Sequence, residues 1–221
     1  MITIFFNSYL ILLVICFIVG VICTWRLKWS LSPVKMLPWF VLLTFISEMT
    51  ALQWMIKYHN NHCVYNVYQV LQFVFYSFAL YQLIKNRQIR KVLLFVSIGY
   101  PVFAIINLFV RGIHLFNIVN FYGGAVMLAF FSGYLLSELF RKTAIDNPFR
   151  MPAFWTGSSI LVQNSCLIPL ELPAALSLTF SPGEVNILVG MIMVVNFISY
   201  TLFIIGFIHL YKNSKTSTLY R

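Results

Sequence analysis

The sequence predicts an all-α integral membrane protein of seven transmembrane helices, and three observations carry that expectation. Of its 221 residues 61% are hydrophobic and only 9% charged, with a mean hydropathy of +0.87. A soluble domain carries about 25% charged residues, so this chain lacks the means to clothe a water-facing surface. The apolar residues fall in continuous runs of roughly 20, the length that crosses a hydrocarbon core of about 30 Å. Basic residues gather in alternate links between those runs. Continuous runs without in/out alternation exclude a transmembrane strand barrel.

The runs lie at 5–25, 36–56, 64–84, 92–110, 115–138, 152–173 and 185–210, within a single membrane domain covering 1–221. No Lys or Arg precedes the first run, and no small-x-small site follows it before Trp25 and Arg26. It reads as a retained helix, not a signal peptide. The second run opens with Pro38-Trp39-Phe40 and carries Glu48. In the third, Asn66, Gln69, Gln72 and Tyr76 recur at three- and four-residue steps and so share one helical face. The fourth follows the basic residues Lys85, Arg87, Arg90 and Lys91. The fifth places Gly123, Gly124, Ala129 and Gly133 along its length, which predicts close helix packing. The sixth opens with Pro152-Ala153-Phe154-Trp155; Pro169 is expected to kink or end it, with Glu171 at the interface. The seventh carries Asn196 and an aromatic-rich later half.

Charge placement predicts orientation. Arg26, Lys28 and Lys35, then Lys85, Arg87, Arg90 and Lys91, then Arg141, Lys142 and Arg150, and finally Lys212, Lys215 and Arg221 fall on one side. Lys57 and Arg111 alone fall on the other. The positive-inside rule puts the first side in the cytoplasm, with the N-terminus outside and the C-terminus cytoplasmic. The expected location is a cell membrane, the inner membrane if the source is bacterial. Trp25, Trp29, Trp39, Trp54 and Trp155 near run ends form the aromatic belts of such a protein. Segments 1–3 and 5–7 share an orientation with segment 4 between them, the pattern of a parallel 3+1+3 repeat.

Several function classes fall away. The net charge of +10 would suggest nucleic acid in a soluble protein, but the charges sit in clusters between apolar runs, so lipid is the expected partner and nucleic acid is not. Cys16, Cys23, Cys63 and Cys166 show neither CxxC pairing nor metal-ligand spacing. His59 and His62 flank Asn60-Asn61 in a polar turn and lack a third metal ligand. No deep His, Lys or Arg accompanies Glu48, and Ser158 and Ser159 have no matched His/Asp spacing. Neither an enzyme nor a bound cofactor or metal is expected.

What remains is a polar constellation in the outer half. A carboxyl at the centre of a membrane helix costs roughly 2.5–3.5 kcal/mol on insertion scales, so Glu48 needs a protein or water partner. At ~1.5 Å per residue, Glu48, Gln72, Gln163, Asn164 and Asn196 lie about 12–16 Å below the outer ends of their helices. Asn66, Gln69 and Asn120 lie above them. These residues, with Gln53 and Tyr76, are the candidate ligand pocket; its expected floor is Glu48 with Gln72, Gln163 and Asn164. The competing reading makes the amides interhelical glue, worth about 0.6 kcal/mol each.

Tyr65-Asn66-Val67-Tyr68 leading to Gln72-Phe73-Val74-Phe75-Tyr76, Pro152-Ala153-Phe154-Trp155, and Asn196 with Tyr200 resemble a family of uncharacterised bacterial seven-transmembrane-helix proteins. The topology is similar to that of rhodopsins, but 185–211 contains no lysine for a retinal Schiff base. Family members often carry Glu where this chain has Gln72. The resemblance implies a membrane protein partnered with signalling proteins such as sensor kinases, and no activity. The functional expectation is a receptor-like protein that binds a small molecule from outside and signals through a cytoplasmic or membrane partner. A small-solute or proton-coupled transporter is the alternative, and a structural or assembly subunit the third.

Overall fold

The computed structural model describes residues 2–25, 33–142, 147–175 and 181–219. The expectations attached to Arg26, Lys28, Trp29 and Arg221 lie outside the described residues. Seven long helices run through the chain: α1 Ile2–Trp25, α2 Leu37–Tyr58, α3 His62–Leu83, α4 Arg87–Arg111, α5 Ile118–Lys142, α6 Pro152–Ala175 and α7 Pro182–Leu219. Short 3-10 turns at Pro33–Met36 and Pro148–Arg150 lead into α2 and α6. Six of the helices are long and apolar enough to cross a membrane. The described part of α6 is less apolar, since it carries Gln163, Asn164 and Glu171.

Most helices extend at one or both ends beyond the apolar runs that announce them, whereas α5 begins three residues inside its run. Helix α4 begins inside the basic segment, where Asn86 caps it by accepting a hydrogen bond from the Gln88 N–H at 2.9 Å. Such a cap satisfies one of the orphan donors of a first turn. Helix α2 ends at His59, whose left-handed backbone (φ 54°) lets its N–H return to the Met55 carbonyl. Pro169 does not end α6, which continues to Ala175.

Each of α1, α2, α3, α5, α6 and α7 packs against the next in a closed ring, and α7 returns to α1. Helix α4 lies outside the ring, against α3 and α5. The α2–α3 and α4–α5 links meet at one end, where the Asn60 side chain donates to the His114 carbonyl at 3.2 Å. The α3–α4 and α5–α6 links mark the opposite, basic end, where Asn213 of α7 donates to the Arg150 carbonyl.

The ring is filled by aromatic side chains. Tyr9, Phe40, Tyr76, Tyr200, Phe203 and Phe207 are almost completely buried. Phe40 and Tyr76 have ring centroids 4.6 Å apart, and Tyr76 and Phe203 are 6.0 Å apart. These are the tilted geometries that aromatic pairs prefer. Glycine permits two close approaches. A Cβ on Gly20 would lie 2.8 Å from Pro38 of α2 and 2.9 Å from Phe207 of α7, and one on Gly124 would lie 2.6 Å from the Tyr100 hydroxyl. Gly133, expected to share that packing role, faces open space.

Candidate functional site

The polar residues singled out in the sequence separate into three groups. The first is a knot of asparagines. Asn66 on α3 donates to the carbonyls of Ile113 and Leu115, 2.8 Å each, and accepts from the Asn117 N–H at 3.0 Å. Asn107 on α4 donates to the side-chain oxygens of Asn117 and Asn120 at 3.0 and 2.8 Å. Asn120 donates to the Ala104 carbonyl at 2.9 Å, and the Tyr100 hydroxyl donates to the Asn120 carbonyl. These bonds clamp the α4–α5 link onto α3 and replace the ladder that the chain loses between Gly112 and Asn117. Asn66, expected in the pocket, belongs to this clamp.

The second group surrounds Glu48. Tyr65 of α3 donates to one carboxyl oxygen at 3.0 Å, and Tyr9 of α1 donates to the other at 3.3 Å. Behind them the Tyr68 hydroxyl meets Thr44 at 3.1 Å, and Thr44 donates to the Phe40 carbonyl. The buried Tyr200 hydroxyl lies beside Tyr9, Tyr68 and Thr44. Glu48 thus has the protein partners that its depth demanded, but they are phenols of α1 and α3. The amides expected to form a floor with it, Gln72, Gln163 and Asn164, are not among its hydrogen-bond partners in the described residues.

The third group is a cleft between α3, α5 and α6. Gln69, Gln72, Tyr100, Asn120 and Asn164 line it, with Phe73, Gly124, Leu128 and Leu167 among the apolar surfaces. Its interior is about 20 Å³, room for about one water molecule. Including the open mouth, the recess measures about 330 Å³. The Gln69 side-chain oxygen is buried without a hydrogen-bond partner among the described residues. Asn164 turns its amide back onto the Ile160 carbonyl at 2.8 Å.

One turn deeper the Tyr76 hydroxyl donates to the Gln163 oxygen at 2.6 Å, and the Gln163 amide reaches Asn196 of α7 at 3.5 Å. Gln72 faces the same Tyr76 hydroxyl. A continuous run of polar contacts thus joins the cleft to α7 by way of Gln72, Tyr76 and Gln163. Gln53 joins none of these groups, since it is exposed on α2.

Sequence reasoning missed several participants, Asn107 and the phenols of Tyr9 and Tyr100 among them. Tyr9 and Tyr100 sit in apolar runs where a tyrosine reads as another hydrophobe; only neighbours from distant segments reveal their hydroxyls as donors. It also missed a buried carboxyl near the basic end. Glu138, at the end of α5, accepts a 3.0 Å bond from the Lys85 backbone N–H. Its position opposite a basic link was the available signal.

Compared with models of protein families, with curated proteins and with solved structures, the chain matches none.

Proposed function

We propose that this chain is a receptor-like membrane protein that holds a small, uncharged, hydrogen-bonding molecule at the mouth of the α3/α5/α6 cleft, reached from the outer side, and signals to a cytoplasmic partner. One observation carries the reading: the Gln69 carbonyl oxygen is buried beside the cleft with its hydrogen-bonding capacity unused. An orphaned buried acceptor costs about 1–3 kcal/mol, which a donor on a ligand would recover. The lining holds no Lys, Arg, His, Asp or Glu, so it suits a neutral molecule. A ligand that draws Gln72 or Asn164 toward itself alters the partners of Tyr76 and Gln163, and through Asn196 the seating of α7.

The orientation follows the basic residues, with the asparagine-knot end outside and the C-terminus cytoplasmic. The peripheral place of α4 supports its reading as the connector of a 3+1+3 repeat. The transport alternative needs a path to the basic end. Tyr76, Phe203 and Phe207 fill the interior there, which weighs against it.

The test is access. In a chain with its four native cysteines replaced by alanine, Gln69→Cys and Asn164→Cys are treated in sealed membranes with a charged, membrane-impermeant methanethiosulfonate added outside. The receptor reading expects both to react, and more slowly once acetamide, as a neutral amide probe, is present. Failure of both to react from outside would leave the amides as interhelical glue and the chain as a structural subunit.

A further inference from the structure

A second site lies at the basic end and does not depend on the cleft. Lys85, Arg87, Arg90 and Lys91, with Tyr81 and Leu94, line a half-open surface recess of about 450 Å³. That lies within the roughly 300–1,000 Å³ usual for ligand pockets. Its lining brings together four cations and no acidic residue. Lys85 is held in place by its backbone bond to Glu138, and the Asn86 cap fixes the start of α4 beside it. Arg87, Arg90, Lys91 and Leu94 follow at three-, four- and seven-residue steps, so one face of α4 carries them all. The Arg90 guanidinium lies 4.3 Å from the Tyr81 ring centroid. Stacking of this kind restrains the planar group and leaves its edge donors free for a phosphate.

The same face of α4 continues away from the cations as an exposed apolar stripe. Leu94, Ile98, Val102, Ile105 and Phe109 are between 45% and 85% exposed. From Leu94 to Phe109 the stripe is about 22 Å long at 1.5 Å per residue, comparable with an extended acyl chain. Helix α4 stands outside the helical ring, so no other helix covers this face among the described residues.

From this continuity we propose that the recess is a headgroup site for an anionic glycerophospholipid, with the phosphate among Arg87, Arg90 and Lys91 and an acyl chain along the α4 stripe. A basic link that served only to orient the chain would need charge alone. Here three of the four cations share one face of α4, one of them is stacked on an aromatic ring, and an apolar track leads from them. A free phosphate would use the cations and leave the stripe idle, so the lipid is the better-fitting source of the anion. The net positive field of the basic end attracts either molecule.

The experiment is native mass spectrometry of the purified full-length chain released from micelles containing equal phosphatidylglycerol and phosphatidylcholine. Wild type is expected to retain phosphatidylglycerol preferentially. Arg87→Gln with Arg90→Gln is expected to lower that preference roughly five-fold or more. Arg90→Lys keeps the charge and the chain's orientation but loses the planar stack; it is expected to lower the preference several-fold. Arg150→Gln with Lys212→Gln, elsewhere on the basic end, should leave it unchanged. Leu94→Trp should be quenched by phosphatidylglycerol brominated on its acyl chains. Equal losses in both double variants would overturn the proposal in favour of a diffuse charge effect. Displacement of the lipid by millimolar glycerol phosphate, or absence of quenching, would overturn it in favour of a soluble phosphate site.

Discussion

Tyr76 donates its hydroxyl to Gln163 across 2.6 Å, and this bond marks the boundary between the aromatic filling of the ring and the polar cleft. Above it lie Gln72 and Asn164; beside and below it lie Phe40, Phe203 and Phe207. A phenol suits such a boundary because one end of it is apolar and the other demands a partner.

Removing the donor should be measurable. Tyr76→Phe is expected to destabilise the folded protein by about 1 kcal/mol, toward the upper part of the range for hydrogen bonds between membrane helices. A double-mutant cycle with Gln163→Leu, read by steric trapping or reversible unfolding in mixed micelles, should show coupling of similar size. Additive single effects would mean that the bond contributes nothing net.

Glu48 offers a comparison of two substitutions. Glu48→Gln keeps a side-chain oxygen able to accept from Tyr65 or Tyr9 and should cost less than about 1 kcal/mol. Glu48→Leu leaves both phenols without an acceptor and should cost about 2 kcal/mol more than the amide. The same unfolding assay separates them. Equal stability of the two variants would place the phenol bonds among those with no net effect.

The asparagine clamp predicts a local effect. Asn66→Ala removes three bonds to the α4–α5 link at once. Amide exchange across 112–118 should accelerate at least tenfold, corresponding to about 1.4 kcal/mol or more of local opening, while exchange in α1 stays as it was. Uniform acceleration throughout the chain would show that the clamp supports the whole bundle.

Two glycines of α5 should respond in opposite ways. Gly124→Ala drives a Cβ into the Tyr100 hydroxyl and is expected to cost about 1–3 kcal/mol. Tyr100→Phe should relieve part of that cost. Gly133→Ala meets open space and gains helix propensity, so it should be neutral or stabilising by up to about 1 kcal/mol. A thermal unfolding series of the three variants checks the order.

Orientation has its own test. Alkaline phosphatase fused after Ile113 should be active, and fused after Asn86 inactive, if the basic links face the cytoplasm. The reverse pattern would move the cleft's outer side to the interior and remove the basis for a receptor.

The amino-acid sequence by itself determined that the chain is helical, with runs long and apolar enough to cross a membrane, and where each of seven helices lies, though the start of α4 and the end of α7 fall five and nine residues beyond their runs. Those properties follow from local composition: apolar run length and the three-to-four-residue step are visible without any neighbour. The true ends were less legible, because a run of hydropathy marks the lipid-facing span and not the cap; Asn86 starts α4 within a charged segment. The expectation that Glu48 would have a partner was legible too, since burial of a carboxyl demands one. Only the tertiary structure decided which partner. Asn66, Gln69 and Gln72 share a face of α3, but the lateral order of helices assigns Asn66 to the α4–α5 link and leaves Gln69 and Gln72 to the cleft. The same order gives Glu48 to Tyr9 and Tyr65. Depth and helical face are one-dimensional quantities, whereas adjacency depends on how seven cylinders pack around one another, and that is set by contacts between residues far apart in the chain.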